Sequence, residues 1–163
     1  MLKKSIRTDF MELEHCYDEL LWWRDVLQAI ADFLPCHIEE SLPTLISGSL
    51  LPLLRTAHEL EERLISSRLQ LIVEVAEKAS AEGRRRASRL FDHDAARDVV
   101  TTLETLVEGR CRLSWEAVGF QLRSFFCSTR RHIRSEREIM EILQRAMEAA
   151  ARLQEVADPT KAA

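Results

Sequence analysis

Glycine and proline are scarce in this chain, with four of each in 163 residues, and aromatic residues make up only 6%. Such scarcity excludes folds that depend on many tight turns and points to long helices rich in Leu, Glu, Arg and Ala. Long apolar runs are also missing, so no segment reads as a membrane span. The start, Met1-Leu2-Lys3-Lys4, leads into polar residues rather than the apolar core of a secretion signal, which makes a cytoplasmic location the expectation. A net charge of −4 and a pI near 5.8 exclude a global pull on nucleic acid or anionic lipid. Cys16, Cys36, Cys111 and Cys127 are scattered, without a C-x-x-C pair, so neither a zinc ribbon nor a thioredoxin-type motif can be drawn and reduced thiols are expected.

What is present is amphipathic periodicity. With 46% apolar and 31% charged residues, the chain can bury one core, and residues 1–163 are read as a single domain. Apolar residues recur at helical spacing from about Thr8 to Leu34, where Pro35 follows. A second helix is expected over about 44–79, after a stretch broken by Pro43, Gly48 and Pro52. Ala81-Glu82-Gly83 reads as punctuation, a third helix is expected over about 88–108 before Gly109, and a fourth over 114–156 from the N-cap Ser114. Short connections predict an all-α, up-down-up-down antiparallel four-helix bundle, whose interior receives side chains from every helix.

Four of the five histidines fall one to a helix: His15, His58, His93 and His132. Two of these carry a glutamate one turn on, as His58-x-x-x-Glu62 and His132-x-x-x-Glu136, and positions i and i+4 share a helix face. The order repeats, since His15 precedes the first H-x-x-x-E by 43 residues and His93 precedes the second by 39. His15 lies 19 residues before Leu34 and His58 lies 19 after Glu39, so the two return to one level along the bundle. Four imidazoles with two carboxylates make a mixed nitrogen and oxygen donor set that suits iron, with manganese or zinc as alternatives, and two carboxylates can bridge a metal pair.

This pattern of H…HxxxE, given twice on four helices, resembles the hemerythrin-like, or HHE cation-binding, family over nearly the whole chain. The resemblance implies a non-haem di-iron centre with His15, His58, Glu62, His93, His132 and Glu136 as ligands and the two glutamates as bridges. Glu59 resembles an extra carboxylate used in the hemerythrin domain of an iron-sensing F-box protein and is a further candidate. Oxygen-carrying hemerythrins have a second histidine on the third helix where this chain has Arg97, which weighs against reversible O₂ carriage. The 35 residues from His58 to His93 require the chain to double back around Ser80 to Ala87.

Trp22, Leu54, Ile65, Val100 and Ile139 lie four or seven residues from the ligands and are expected to wall the pocket. Two basic clusters, Arg84-Arg85-Arg86-Arg89 and Arg130-Arg131-Arg134-Arg137, read as solvated helix faces, and no nucleic-acid partner is expected. A ferritin-like centre needs two E-x-x-H motifs, and only Glu12-x-x-His15 matches. The expected function is binding or sensing of O₂, NO or iron and redox status. A di-iron enzyme acting on peroxide or ferrous iron is the alternative, and a metal-free helical module, as a homodimer or on another protein, is the third reading.

Overall fold

The computed structural model describes residues 2–69 and 75–157, and among them there are helices and no strands. Helix α1 spans Leu2–Phe33, α2 spans Leu42–Glu61, α4 spans Val75–Val107 and α5 spans Trp115–Ala157. Between α2 and α4, the helix continues without a break through a π-helical turn, Glu62–Ser66, into the short α3, Ser67–Leu69. The described residues thus form four long rods, with α2, the π turn and α3 as one. No helix among the described residues is long and apolar enough to cross a membrane.

Local sequence sets the ends of these rods. Pro43 sits in the first turn of α2, where its missing N–H costs nothing, so it starts the helix instead of breaking it. Pro52 lies inside α2, and the residue whose carbonyl its ring crowds, four positions earlier, is the side-chain-free Gly48. Gly109, at φ +68°, ends α4 in a conformation that L side chains avoid, and its N–H donates to Leu106 O at 3.1 Å. Ser114 caps α5, its Oγ accepting from Ala117 N at 3.2 Å.

Expected boundaries are overturned at the start of the first helix, which begins at Leu2 and not near Thr8, and between the second and third, since residues 75–79 already belong to α4. Ala81-Glu82-Gly83 does not punctuate the chain, because α4 is already helical from Val75 and runs through it. A lone glycine costs a helix only about 1 kcal/mol relative to alanine, which the inward packing of Arg89, Asp92 and Ala96 further along offsets. The reversal expected around Ser80 to Ala87 is therefore absent from that segment, and residues 70–74 lie outside the described residues.

In cross-section, α1 packs on α2 and α5, and α4 packs on α2 and α5. Leu13, Tyr17 and Leu27 of α1, Ile46, Leu50 and Leu54 of α2, Ala96, Val99 and Leu103 of α4, and Leu122, Ile133 and Leu143 of α5 are almost fully buried. Each large aliphatic side chain contributes about 1.5–3 kcal/mol on burial. Contacts between rods come in ordered series. Arg123 reaches Ala31 O, and one stretch further along α5, Arg137 reaches Glu14 and Asp18. Thr102 meets Gln121, Asp92 meets Ser128 and Arg85 meets Glu136.

Gly83 offers a direct test of the uninterrupted α4, because a Cβ built there meets nothing within 4 Å. Gly83→Ala is expected to raise stability by about 0.5–1 kcal/mol in urea denaturation. A loss of stability would show that the backbone at this position is not helical.

Candidate metal centre

The apolar stripe of each rod decides which polar side chains enter the interior, since successive helical residues turn by about 100°. On α4 the stripe Ala96, Val99, Leu103 extends back to Asp92, Arg89 and Arg85, and it leaves His93 one step to the side. On α2 the stripe Leu50, Leu54, Ala57, Leu64 leads to Glu61, 1% exposed, with His58 at its edge. On α1 the stripe Leu13, Tyr17, Leu20 carries the Tyr17 hydroxyl inward. On α5, Thr129, Ile133 and Met140 flank Glu136, and His132 lies beside them.

These side chains converge. Tyr17 donates to Glu61 Oε1 at 3.0 Å, and the same oxygen lies 3.0 Å from His132 Nε2. The other ring nitrogen of His132, Nδ1, stands 3.3 Å from Asp92 Oδ2. This contact is too poorly aligned for a hydrogen bond, and Asp92 Oδ2 has no hydrogen-bond partner among the described residues. Ser128 donates to Asp92 Oδ1 at 3.3 Å, and Arg85 Nη2 donates to Glu136 Oε2 at 2.7 Å. The His58 ring stands edge-on to His93 and His132, with centroids 5.1 and 5.5 Å away.

Two sets of potential metal donors result, each with its atoms within 4.8 Å of one another: His58, Asp92, His132, and Glu61, His132, Glu136. His132 belongs to both. Several atoms of these sets are buried and unpaired among the described residues, namely both nitrogens of His58, Glu61 Oε2 and Asp92 Oδ2. Buried polar atoms are ordinarily satisfied, so a concentration of orphans in one place calls for a ligand or water.

Burial sets much of the electrostatics. It pushes the His58 imidazole down to about 4, against the pull of Glu61 and with smaller contributions from the nearby His132, His93 and Arg89. His58 is therefore neutral at neutral pH, with a lone pair available. Burial also raises the Asp92 and Glu136 carboxyls above their usual range, and for Glu136 the neighbouring Glu61 charge adds to it. Burial would raise Glu61 too, but the hydrogen bond and charge of His132 hold it below the ordinary value. Conversely, burial disfavours charged His132, yet Glu61, Asp92 and Glu136 together raise its pKa.

The expected ligands divide. His58, His132 and Glu136 reach the interior, and His93 is half-buried beside His58. His15 does not join them: its side chain is 73% exposed and lies 3.4 Å from Glu19. The α1 stripe explains this, because position 15 faces away from Leu13 and Tyr17. Glu62 is 54% exposed and pairs with Arg89 and Ser66. Glu59 is exposed. Glu61 and Asp92 stand in the interior, one residue before Glu62 and His93 respectively, and the spacing of the apolar stripes was the signal that could have found them.

Of the expected pocket wall, Leu54, Ile65 and Val100 are buried in the core and Ile139 packs at its edge. Trp22 is 58% exposed and rests against Trp23, on the same outward side as His15. The first basic cluster is not wholly a solvated face, since Arg85 and Arg89 turn inward to Glu136 and Glu62. In the second, Arg137 pairs with Glu14 and Asp18. An open groove of about 570 Å³ lies between α2 and α4 and reaches His58, with Arg55, Glu59, Glu62, Arg89 and His93 among its walls.

The chain matches no family model, no curated protein and no solved structure. Functional inference therefore rests on these residues and their arrangement.

The depressed His58 pKa gives a signed pH dependence. The unfolded chain takes up this proton near pH 6.5, whereas the folded chain resists it until about 4. Stability contributed by neutral His58 is thus present above pH 6.5 and lost as pH falls towards 4. In chelator-treated protein, the stability of wild type relative to His58→Leu should fall by up to about 3 kcal/mol over that window. A difference that stays flat in urea titrations at each pH would show that His58 is not buried as described.

Proposed function

We propose that this chain is a hemerythrin-like, metal-binding four-helix bundle that holds iron in its interior and binds or senses O₂, NO or redox status. The carrying observation is the set of buried donor atoms on His58, Glu61 and Asp92 that lack a hydrogen-bond partner among the described residues, around the shared His132. A cluster serving only as an internal ion network would be expected to pair these atoms with one another. The ordered contact series between neighbouring rods supports the antiparallel, up-down arrangement that the resemblance implies.

The donor set fits a first-row transition metal, with imidazole and carboxylate and no thiolate. It differs from the six-ligand set expected from sequence: His58, Asp92 and His132 form the first position, and Glu61 and Glu136, again with His132, form a second. Iron bound there would supply a coordination position at which O₂, NO or peroxide can be held. The chain's own part is to fix the donors. Tyr17 orients Glu61 through Oε1 and leaves Oε2 without a hydrogen bond, while Ser128 holds Asp92 through Oδ1 and leaves Oδ2 facing His132 Nδ1 without one. Such supporting bonds keep ligands in place and basic. Leu54, Ile65 and Ile133 exclude water from the buried side, and the groove gives access from the other. Because an empty set of this kind is costly, metal binding adds to folding free energy, which gives a sensor a loose and a tight state.

The size of the groove favours a second reading. At about 570 Å³ it falls within the range of small-molecule sites and exceeds the need of a diatomic gas. An enzyme acting on peroxide fits that access, and O₂ evolution from hydrogen peroxide by the iron-loaded protein separates it from a binding protein.

Elemental analysis after anaerobic reconstitution with ferrous iron and desalting tests the main reading. Wild type should retain iron, His58→Ala and Asp92→Asn should weaken retention by about 10-fold or more, and His15→Ala and Glu59→Gln should match wild type. Iron-free wild type would overturn the proposal. Loss in His15→Ala equal to that in Asp92→Asn would restore the six-ligand set over the one described here.

A further inference from the structure

Arg85 sits on the inward stripe of α4, one and two turns before Arg89 and Asp92, while its neighbours Arg84 and Arg86 are exposed. Its side chain is only 14% exposed and Glu136 is 6% exposed, so their 2.7 Å ion pair is an interior one. Nε and Nη1 of Arg85 are buried and unpaired among the described residues. Glu136 is also one of the three donors in the Glu61, His132, Glu136 set. The guanidinium holds Glu136 Oε2, so a metal ion taken by the same carboxylate would place a second positive charge beside it in a buried site. An arginine cannot relieve this by losing its proton.

Charge balance decides the outcome. Glu61, Asp92 and Glu136 bring three negative charges to the interior, and Arg85 cancels one. Arg89 and Glu62 cancel each other at the groove wall. With His58 and His132 neutral, as ligation requires, two negative charges remain, which one divalent ion matches. A second divalent ion would leave two positive charges uncompensated in a buried site, and uncompensated buried charge is strongly unfavourable.

Resting on the metal-binding reading above, we propose that Arg85 makes the centre mononuclear: its guanidinium takes the second metal position, and one divalent ion binds at His58, Asp92 and His132. Arg85 is then a specificity-determining residue for the metal, and the di-iron expectation drawn from the H…HxxxE repeat does not carry over to this chain. Glu136 becomes the counter-ion of Arg85 rather than a metal bridge.

The test is the stoichiometry of ferrous iron by anaerobic isothermal titration calorimetry, checked by elemental analysis, with circular dichroism and a thermal melt on each variant. Wild type should bind one ion per chain, Arg85→Lys should bind one, and Arg85→Gln, which keeps a hydrogen-bond donor without the charge, should bind two. The added ion should disappear in Arg85→Gln/Glu136→Gln. Should Arg85→Gln fail to fold, the wild-type stoichiometry still decides: wild type binds one ion, and Asp92→Asn weakens it about 10-fold or more. Two ions in wild type, or one in a folded Arg85→Gln, would overturn the proposal while leaving the metal reading standing. No binding in wild type or any variant would overturn both.

Discussion

Three carboxylates inside an apolar helical bundle impose a demand that the rest of the site answers. Glu61, Asp92 and Glu136 are each almost fully buried, where a lone charge is costly and must be matched by a partner, a proton or a cation. Arg85 answers for Glu136, His132 lies between Glu61 and Asp92, and Tyr17 and Ser128 each satisfy one oxygen. The answer is incomplete, because Glu61 Oε2, Asp92 Oδ2 and both nitrogens of His58 have no hydrogen-bond partner among the described residues. That remainder has the composition of a transition-metal donor set and carries the functional reading.

The architecture makes this concentration of charge affordable. Long aliphatic stripes on α1, α2, α4 and α5 supply the burial that holds four rods together. The polar residues occupy only a few turns of that interior. Next to them the second rod passes into π-helical geometry over Glu62–Ser66, immediately after His58 and Glu61. Such turns are frequent at functional sites because they re-aim the residues around them. Here the turn starts directly after inward-facing Glu61 and itself carries the buried Leu64, Ile65 and Ser66.

The four rods, the helix-starting Ser114 and the helix-ending Gly109 were legible in the sequence, because periodicity and caps are local signals. Gly83 misled, since one glycine is a weak helix breaker against the packing of the residues beyond it. The centre was legible to the level of the helix turn but not of the residue. His58, His132 and Glu136 reach the interior because they lie on or beside an apolar stripe. The histidine pattern does not carry the stripe phase: Leu13 and Tyr17 turn position 15 outward, and Leu54, Ala57 and Leu64 favour position 61 over 62. The same phase favours Asp92 over His93 for the interior. Arg85 and Arg89 read as a solvated run because an arginine enters an interior only when a buried carboxylate awaits it, and those partners, Glu136 and Glu62, lie on other rods.

The most direct check on the account is a crystal structure of the iron-loaded protein with an anomalous-difference map at the iron absorption edge. The account predicts a peak within coordination distance of His58, Asp92 and His132, in the interior between α2, α4 and α5. A peak only at His15 and Glu19 on the outer face of α1, or no interior peak in crystals that demonstrably contain iron, would contradict it.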